Sequence, residues 1–136
     1  MMQEFDLKLP VFSRGFHLIT DIIESELKNL PESGLLHIFI QHTSAALTIN
    51  ENYDPSVRHD MASISDKMVP EDEPFYTHTM EGSDDMPAHF KSSLMGSSLS
   101  IPIRNGKLAL GTWQGIYLCE FRNNAGSRKL LISVIS

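Results

Sequence analysis

The last third of the chain is a series of short strand-like segments separated by turn residues, and this pattern restricts the fold most. Leu99, Ile101 and Ile103 alternate with other residues just before Asn105-Gly106, a dipeptide that favours a tight hairpin. Further strands are predicted at residues 107–110, 116–122 and 128–135, separated by an irregular crossing at 111–115 and a turn at 124–126. Strands this close in sequence favour an antiparallel sheet.

The first two thirds of the chain alternate between strand and helix patterns. Strands are predicted at residues 3–9 and 35–42. Between them, apolar residues recur at helical spacing, with Thr20 or Asp21 as the cap and Pro31 after the end; they are Ile19, Ile22, Ile23, Leu27 and Leu30. The pattern therefore predicts a first helix between two strands.

Two more helices are predicted in the middle of the chain. Asp54-Pro55 is typical of a helix start, and an apolar stripe follows at Val57, Met61, Ile64 and Met68. A polar segment at 71–82 predicts a loop, and residues 86–94 predict a third helix that ends near Gly96. Three helices and a mostly antiparallel sheet or sandwich predict an α+β fold, with residues 1–136 as a single domain.

The final strand is apolar on both faces, with Leu130, Ile132 and Val134 on one and Leu131 and Ile135 on the other. Helices, a second sheet or another subunit can cover the second face, and the pattern does not choose among them. On the preceding strand, Tyr117, Cys119 and Phe121 share a face that is predicted to lie in the core. We therefore expect an unreactive, buried thiol at Cys119.

Charge and hydropathy exclude several classes of function. Seventeen acidic and 11 basic residues give a net charge of −6, which disfavours nonspecific nucleic-acid binding. No apolar run approaches the ~20 residues that span a bilayer, and the N-terminus lacks a secretory apolar segment. With one cysteine and no internal disulfide, we expect a cytoplasmic protein that binds neither membrane nor nucleic acid.

Three of the six histidines lie where sites commonly assemble: His42 at a strand end, His78 in a polar loop and His89 in the third helix. Neutral imidazoles suit zinc-like divalent ions, and three of them leave a coordination position open. No local motif such as HExxH supports this hypothesis. The alternative is that each histidine only satisfies a local hydrogen bond.

Other polar residues are candidates for catalysis or substrate binding, each with a structural alternative. Glu81 and Asp85 can serve as acid, base or ligand, although Asp84 or Asp85 can instead cap the third helix. Thr43 and Ser44 beside two alanines suit a phosphate pocket, or an ordinary strand edge. Glu120 and Arg122 share a strand face, where arginine can bind phosphate or form a surface ion pair. Trp113 lies between glycines that favour either an anion-binding loop or a bulge.

Three blocks of sequence resemble the YjbQ-type family of secondary thiamine-phosphate synthases. They are QHTSAALTINENYDPSV (residues 41–57), HTMEGSDDMPAHFKSSLMG (78–96) and IPIRNGKLALGTWQGIYLCEFR (101–122). The resemblance implies a homotrimer with sites near subunit boundaries and a metal cluster of His42, His78 and His89. It also implies roles for Asn50, Glu51 and Trp113 at the substrate, with Arg104 or Arg122 assisting.

The implied reaction joins hydroxymethylpyrimidine diphosphate to a thiazole phosphate and releases pyrophosphate. Diphosphate chemistry usually employs magnesium and oxygen ligands, whereas histidines favour zinc-like ions, so magnesium remains the second candidate cofactor. This mismatch keeps two alternatives open. One is a metal-dependent hydrolase or lyase of a small phosphorylated metabolite, with Glu81 or Asp85 as base. The other is a non-catalytic trimer that binds such a metabolite.

Overall fold

The computed structural model describes residues 1–136, which form eight strands and three helices. The strands are β1 (Met2–Lys8), β2 (Gly15–Leu18), β3 (Ser33–Ile40), β4 (Ala45–Glu51), β5 (Ser98–Arg104), β6 (Lys107–Leu108), β7 (Gln114–Glu120) and β8 (Lys129–Ile135). The helices are α1 (Thr20–Glu26), α2 (Pro55–Met68) and α3 (Asp85–Met95). None of the three is long and apolar enough to cross a lipid bilayer.

The strands form two antiparallel sheets, which confirms the predicted α+β class. One sheet has the order β1-β8-β3-β5-β6, and the other has the order β2-β7-β4. The main core contains residues of both sheets, such as Ile38 of β3 and Leu118 of β7, together with Ile23 of α1. A smaller core lies on the other face of the three-stranded sheet, where α2 and α3 pack. The chain is therefore a sandwich with a helical layer over its smaller sheet.

The two-sheet arrangement determines what covers each face of the final strand, β8. Leu130, Ile132 and Val134 of β8 are buried in the main core, so the second sheet covers one face of β8. The opposite face is only partly covered, and Ile135 is exposed there. Tyr117, Cys119 and Phe121 lie in the smaller core as predicted, and burial raises the pKa of the Cys119 thiol to about 12. Cys119 is therefore an unreactive thiol, as expected.

Several local predictions are confirmed. Asp54 caps α2 by accepting a 2.9 Å hydrogen bond from the Ser56 amide, and α3 ends at Gly96, whose φ is 109°. A positive φ favours glycine because a side chain would clash there. Asn105 and Gly106 also have positive φ values of 53° and 73°, as a primed hairpin turn requires.

Other local predictions are wrong for identifiable reasons. The N-cap of α1 is Ile19, because Thr20 is engaged elsewhere: its hydroxyl oxygen accepts a 2.8 Å hydrogen bond from the Ile116 amide. In α2, Ile64 and Met68 are exposed, and of the predicted apolar stripe only Met61 packs against a core cluster. Strand β2 was not predicted, and β4 was offered only as an alternative to a phosphate pocket, since the registers of both depend on β7, which lies far later in the chain.

Candidate metal centre

One histidine in the loop and two residues of α3 form the candidate metal centre, His78, Asp85 and His89. Potential ligand atoms of these three residues all lie within 4.8 Å of one another. The Oδ2 atom of Asp85 is 2.7 Å from Nε2 of His78 and 3.1 Å from Nε2 of His89. The centroids of the two imidazole rings are 5.4 Å apart. Both rings thus converge on one carboxylate oxygen.

Helix geometry explains why Asp85 and His89 meet. They are four residues apart, so they lie on the same face of α3 one turn from each other. The backbone before β4 supports the histidine, because Nδ1 of His89 is 2.9 Å from the carbonyl oxygen of Thr43. Since a carbonyl only accepts, Nδ1 carries the hydrogen and donates it. In the neutral ring Nε2 then has a free lone pair, as a metal ligand requires.

The contact between His89 and Asp85 requires a cation. A lone pair on Nε2 and a carboxylate oxygen are both acceptors, and they lie 3.1 Å apart. Either a proton or a metal ion between them removes this repulsion. Ligand atoms on a tetrahedral zinc are about 3.3 Å apart, given bonds of about 2.0–2.1 Å. The observed separations of 2.7 Å and 3.1 Å are shorter than that spacing, so a bound ion would move these groups slightly apart. The donor set of two imidazoles and one carboxylate is what fits a zinc-like ion.

Arg122 fixes the other oxygen of Asp85. Its Nη1 donates to Oδ1 of Asp85 at 2.5 Å, and its Nε donates to Oδ2 of Asp84 at 2.9 Å. Its Nη2 donates to the backbone oxygen of Glu81 at 2.9 Å. Each of the three guanidinium nitrogens of Arg122 therefore donates a hydrogen bond. The sequence left phosphate binding and an ion pair open for Arg122, and in this structure Arg122 forms ion pairs that orient Asp85.

These contacts also assign a different role to Asp84. It precedes α3, but its side chain makes no capping hydrogen bond. Instead, Oδ2 of Asp84 accepts hydrogen bonds from Arg122 and from the Asn123 amide, the latter at 2.9 Å. Helix capping therefore explains neither Asp84 nor Asp85, contrary to the structural alternative drawn from the sequence.

The carboxylates are held in their charged forms. Burial by itself would raise the pKa of Asp85, whose side chain is 1% exposed. The hydrogen bond with His78 and the positive charge of Arg122 outweigh burial and lower that pKa below its ordinary value. The pKa of Asp84 is lowered as well, since hydrogen bonds from Asn123 and Arg122 outweigh its burial.

The electrostatic balance at the centre favours a cation. Three carboxylates, those of Glu81, Asp84 and Asp85, face one guanidinium, that of Arg122. With neutral histidines, these four groups carry a net charge of −2, which one divalent cation neutralises. Glu81 is the outermost of them, with Oε2 3.9 Å from Nε2 of His78 and a side chain 64% exposed. Its carboxylate is thus available to solvent beside the centre.

Glu120 and Arg128 form a separate buried ion pair beside the centre. Nε and Nη2 of Arg128 donate to the two carboxylate oxygens of Glu120, at 2.7 Å and 2.5 Å. Nη2 also donates to the hydroxyl of Ser44 at 3.0 Å. Glu120 contacts Arg122 only through the backbone amide, so these two side chains do not form the ion pair that the sequence left open as one alternative. Arg128 was not among the predicted site residues.

His42 lies beside the centre and not within the group of ligand atoms. Its Nε2 accepts a 2.8 Å hydrogen bond from the Lys129 amide. Burial and the nearby positive charges of Arg128 and Lys129 lower the pKa of His42, so the ring is neutral near pH 7. His42 and His89 both line a polar cavity of about 300 Å³; its other lining residues are Thr43, Ser92, Ser93, Gly96 and Ser97. We refer to it as the polar cavity.

A larger cavity opens on the other side of the centre and includes His78 in its wall. It has a volume of about 580 Å³. It is lined mainly by apolar side chains from the end of α2, the following loop and α3; the residues are Met68, Val69, Pro70, Glu73, Phe75, Tyr76, Thr77, His78, Met86 and Phe90. We refer to it as the apolar cavity. The centre therefore lies between cavities of opposite character.

The remaining predicted substrate residues lie far from the centre within one chain. Asn50 and Glu51 are at the opposite end of β4 from Ala45, about 20 Å away at ~3.3 Å per residue. Glu51 accepts hydrogen bonds from the Tyr53 and Asp54 amides, and Trp113 packs edge-on against Tyr53. Arg104 is exposed at the β5–β6 hairpin, also remote from the polar cavity.

Comparison with known proteins establishes the family. A model of the family described as UPF0047 protein YjbQ-like matches residues 6–136. The chain belongs to this family. The UPF0047 protein YjbQ of Escherichia coli O157:H7 is 49% identical over 136 residues, 98% of either chain. The UPF0047 protein sll1880 of Synechocystis is 48% identical over 103 residues, covering 76% of this chain and 70% of the relative.

Crystal structures of similar proteins have the same fold. An uncharacterized conserved protein of the family from Clostridium acetobutylicum aligns with a TM-score of 0.78 at 40% identity, covering 98% of this chain and 99% of the other. A conserved hypothetical protein from Thermus thermophilus aligns with a TM-score of 0.85 at 32% identity, covering 96% and 99%. The family part of the sequence resemblance is thus confirmed. The names of these relatives specify no activity.

Proposed function

We propose that this UPF0047/YjbQ protein is a metal-dependent enzyme that acts on a small phosphorylated metabolite at the His78–Asp85–His89 centre. The proposed reaction is thiamine-phosphate synthesis from hydroxymethylpyrimidine diphosphate and a thiazole phosphate. The observation that carries the proposal is the convergence of two imidazole nitrogens on one oxygen of Asp85, at 2.7 Å and 3.1 Å. A divalent cation held there supplies positive charge that stabilises a departing pyrophosphate.

The residues around the centre have distinct supporting roles in this proposal. Arg122 holds the carboxylate of Asp85 through Oδ1, which leaves Oδ2 directed at the two histidines. Thr43 holds the ring of His89 through its carbonyl oxygen. Such preorganisation lowers the cost of bringing reacting groups together. Arg122, His78 and Asp85 thus form a fixed framework beside two cavities.

The polar cavity suits hydroxyl-bearing groups better than phosphate. It is lined by Ser92, Ser93 and Gly96 at the carboxyl end of α3, where the helix dipole is negative and repels anions. Its wall contains hydroxyls and histidines but no lysine or arginine. We therefore assign phosphate oxygens to the metal centre itself and uncharged polar groups of the substrate to this cavity. Thr43 remains a substrate-binding candidate, whereas the hydroxyl of Ser44 is engaged with Arg128.

A metal-dependent hydrolase or lyase is the second candidate function. The exposed carboxylate of Glu81 beside His78 favours it, since such a group can accept a proton from water or substrate. In the synthase reaction Glu81 would not need to activate water. A Glu81→Gln variant therefore tests the two candidates: we expect it to retain synthase turnover and to lose most hydrolytic turnover.

The proposal includes a homotrimer whose neighbouring chains complete the site. In one chain, Glu51, Trp113 and Arg104 are remote from the centre, and Trp113 and Tyr53 are exposed. A neighbouring chain can bring such residues to the centre. Sedimentation equilibrium is expected to give three times the chain mass of 15.3 kDa. A purely monomeric protein would contradict this part of the proposal.

The central experiment measures product formation with metal-free protein and with protein loaded with zinc or magnesium. Thiamine phosphate and pyrophosphate are quantified after incubation with both substrates. We expect metal-dependent turnover that falls at least about 100-fold in Asp85→Asn. His59→Gln is the matched control, because His59 is exposed on α2 outside the centre. Metal-dependent release of inorganic phosphate without condensation would favour the hydrolase, and no metal-dependent turnover would contradict both.

A further inference from the structure

We propose that the apolar cavity binds an uncharged ring of the substrate while the substrate's polar head is at the metal centre. The part about the head rests on the proposed function, whereas the cavity is an independent feature of the fold. His78 connects the two, since it lines the cavity and its Nε2 is 2.7 Å from Asp85. A ligand on the centre therefore has apolar surface directly beside it.

The lining of the apolar cavity determines which part of a substrate it accepts. Phe75, Tyr76 and Phe90 supply aromatic surface, and Met68 and Met86 supply thioethers that adapt to a ring. No lysine or arginine is present, and Glu73 adds a carboxylate. A phosphate would therefore be repelled and poorly solvated there. The cavity selects an uncharged apolar group and leaves phosphate at the centre.

Size and exposure support the same assignment. A volume of about 580 Å³ lies within the range of small-molecule pockets, roughly 300–1,000 Å³. Two of its aromatic side chains are unusually accessible, Phe75 at 75% and Phe90 at 54%. Covering them with a ring removes apolar surface from water, which strengthens binding by about tenfold or more. The other side of the centre has no comparable apolar surface, because no hydrophobic residue lines the polar cavity.

Two hydroxamates test the proposal. Acetohydroxamate carries a metal-binding head alone, and benzohydroxamate carries the same head with a phenyl ring. With zinc-loaded protein, we expect benzohydroxamate to bind at least about tenfold more tightly by calorimetry. Methionines labelled with ¹³C at the methyl group provide a second readout. Of seven methionines, only Met68 and Met86 line the cavity, and only their signals are expected to shift with the phenyl ring.

Two substitutions on one face of α3 provide the matched comparison. Phe90→Ala removes a cavity wall, whereas Leu94→Ala alters a residue of equal exposure, 54%, one turn later and outside the cavity. Both side chains are largely exposed, so both variants are expected to fold. Phe90→Ala should abolish most of the benzohydroxamate advantage and leave acetohydroxamate binding unchanged. Leu94→Ala should bind both compounds as the unmodified chain does.

The outcomes separate this inference from the proposed function. Equal affinity for the two hydroxamates, or phenyl-induced shifts elsewhere than Met68 and Met86, would overturn the inference. If zinc does not bind, the proposed metal site is contradicted. The ring site is then tested separately by titrating benzyl alcohol into metal-free protein. Shifts confined to Met68 and Met86 would then support the ring site, and their absence would overturn it. Shifts of these signals with protein concentration alone would also overturn it, by identifying the cavity as a contact between copies.

Discussion

Glu120 and Arg128 form a two-point ion pair in which two guanidinium nitrogens contact two carboxylate oxygens, at 2.7 Å and 2.5 Å. Glu120 is completely buried and Arg128 nearly so. The pair connects the end of β7 to the start of β8, strands that belong to different sheets. It also reaches Ser44, next to the residue whose carbonyl holds His89. The pair thus stabilises the backbone under the metal centre.

Substituting Glu120 with glutamine should destabilise the chain. The change leaves the guanidinium of Arg128 buried without a counter-charge, which costs about 3 kcal/mol or more of unfolding free energy. Urea unfolding monitored by circular dichroism measures the loss. A double variant, Glu120→Leu with Arg128→Met, is the control, because it removes both charges. It should be more stable than Glu120→Gln; equal or lower stability would show that the unpaired charge of Arg128 is not the cause of the loss.

Zinc affinity should distinguish the ligands from their neighbours. Asp85→Asn and His89→Gln should each weaken zinc binding at least about 100-fold, because each removes a direct ligand. His42→Gln should change it much less, since Nε2 of His42 already accepts from the Lys129 amide. Competition with a chromophoric chelator measures these affinities. A loss in His42→Gln as large as in His89→Gln would restore the three-histidine ligand set implied by the sequence resemblance.

Acid should destabilise the chain partly through Asp66. Burial alone would raise the pKa of Asp66, but hydrogen bonds from Lys91 and Arg14 outweigh burial and lower it below its ordinary value of 3.8. A carboxyl with a lowered pKa contributes stability that is present above the ordinary value and lost as the pH falls through the folded-state value. Unfolding free energy should therefore fall as the pH decreases from about 5 to below the ordinary pKa of 3.8, and the loss is complete only below the folded-state pKa.

The variant Asp66→Asn isolates this contribution. Lys91, whose side chain is 1% exposed, would lose its charged partner, at a cost of about 2 kcal/mol near neutral pH. The cost should shrink on acidification, because the unmodified chain also loses the charge of Asp66. Denaturant unfolding at several pH values measures both effects. A cost that does not change with pH would rule out titration of Asp66 as the cause.

Gly34→Ala should destabilise the centre of the larger sheet. A Cβ at Gly34 would collide with the carbonyl oxygen of Ile135 in the neighbouring strand β8, and backbone cannot move aside cheaply. We expect a loss of about 2 kcal/mol. Gly126→Ala is the matched control, because a Cβ there meets no atom within 4 Å. Thermal unfolding compares the two, and equal melting temperatures would contradict the steric account.

Local signals in the sequence predicted most elements of the fold. Asp54-Pro55, Asn105-Gly106 and Gly96 each act within a few residues, so their helix start, hairpin and helix end are confirmed. Strand β2 was missed because its pairing with β7 is remote in sequence. The cap of α1 was wrong because the Thr20 hydroxyl bonds Ile116, another remote residue.

The site was predictable to the extent that its residues are close in sequence. Asp85 and His89 are four residues apart on a helix, and the sequence already named Asp85 as a candidate acid, base or ligand; this spacing places it beside His89. The partner of Glu120 could not be found in this way. Arg128 immediately precedes β8, which lies in a different sheet, and only the packing of the two sheets brings the pair together.

The turn of α3 from Asp85 to His89 has a consequence for tolerance of insertions. A single residue inserted within that turn would rotate His89 by about 100° around the helix axis and direct it away from Asp85. The preceding loop between Asp72 and Tyr76 is not helical, and it contributes Glu73, Phe75 and Tyr76 to the lining of the apolar cavity. Insertions or deletions in this loop would change the shape of the apolar cavity beside His78, while the spacing of Asp85 and His89 on α3 stays the same. The chain can thus acquire new substrate preferences without rebuilding its metal-binding helix.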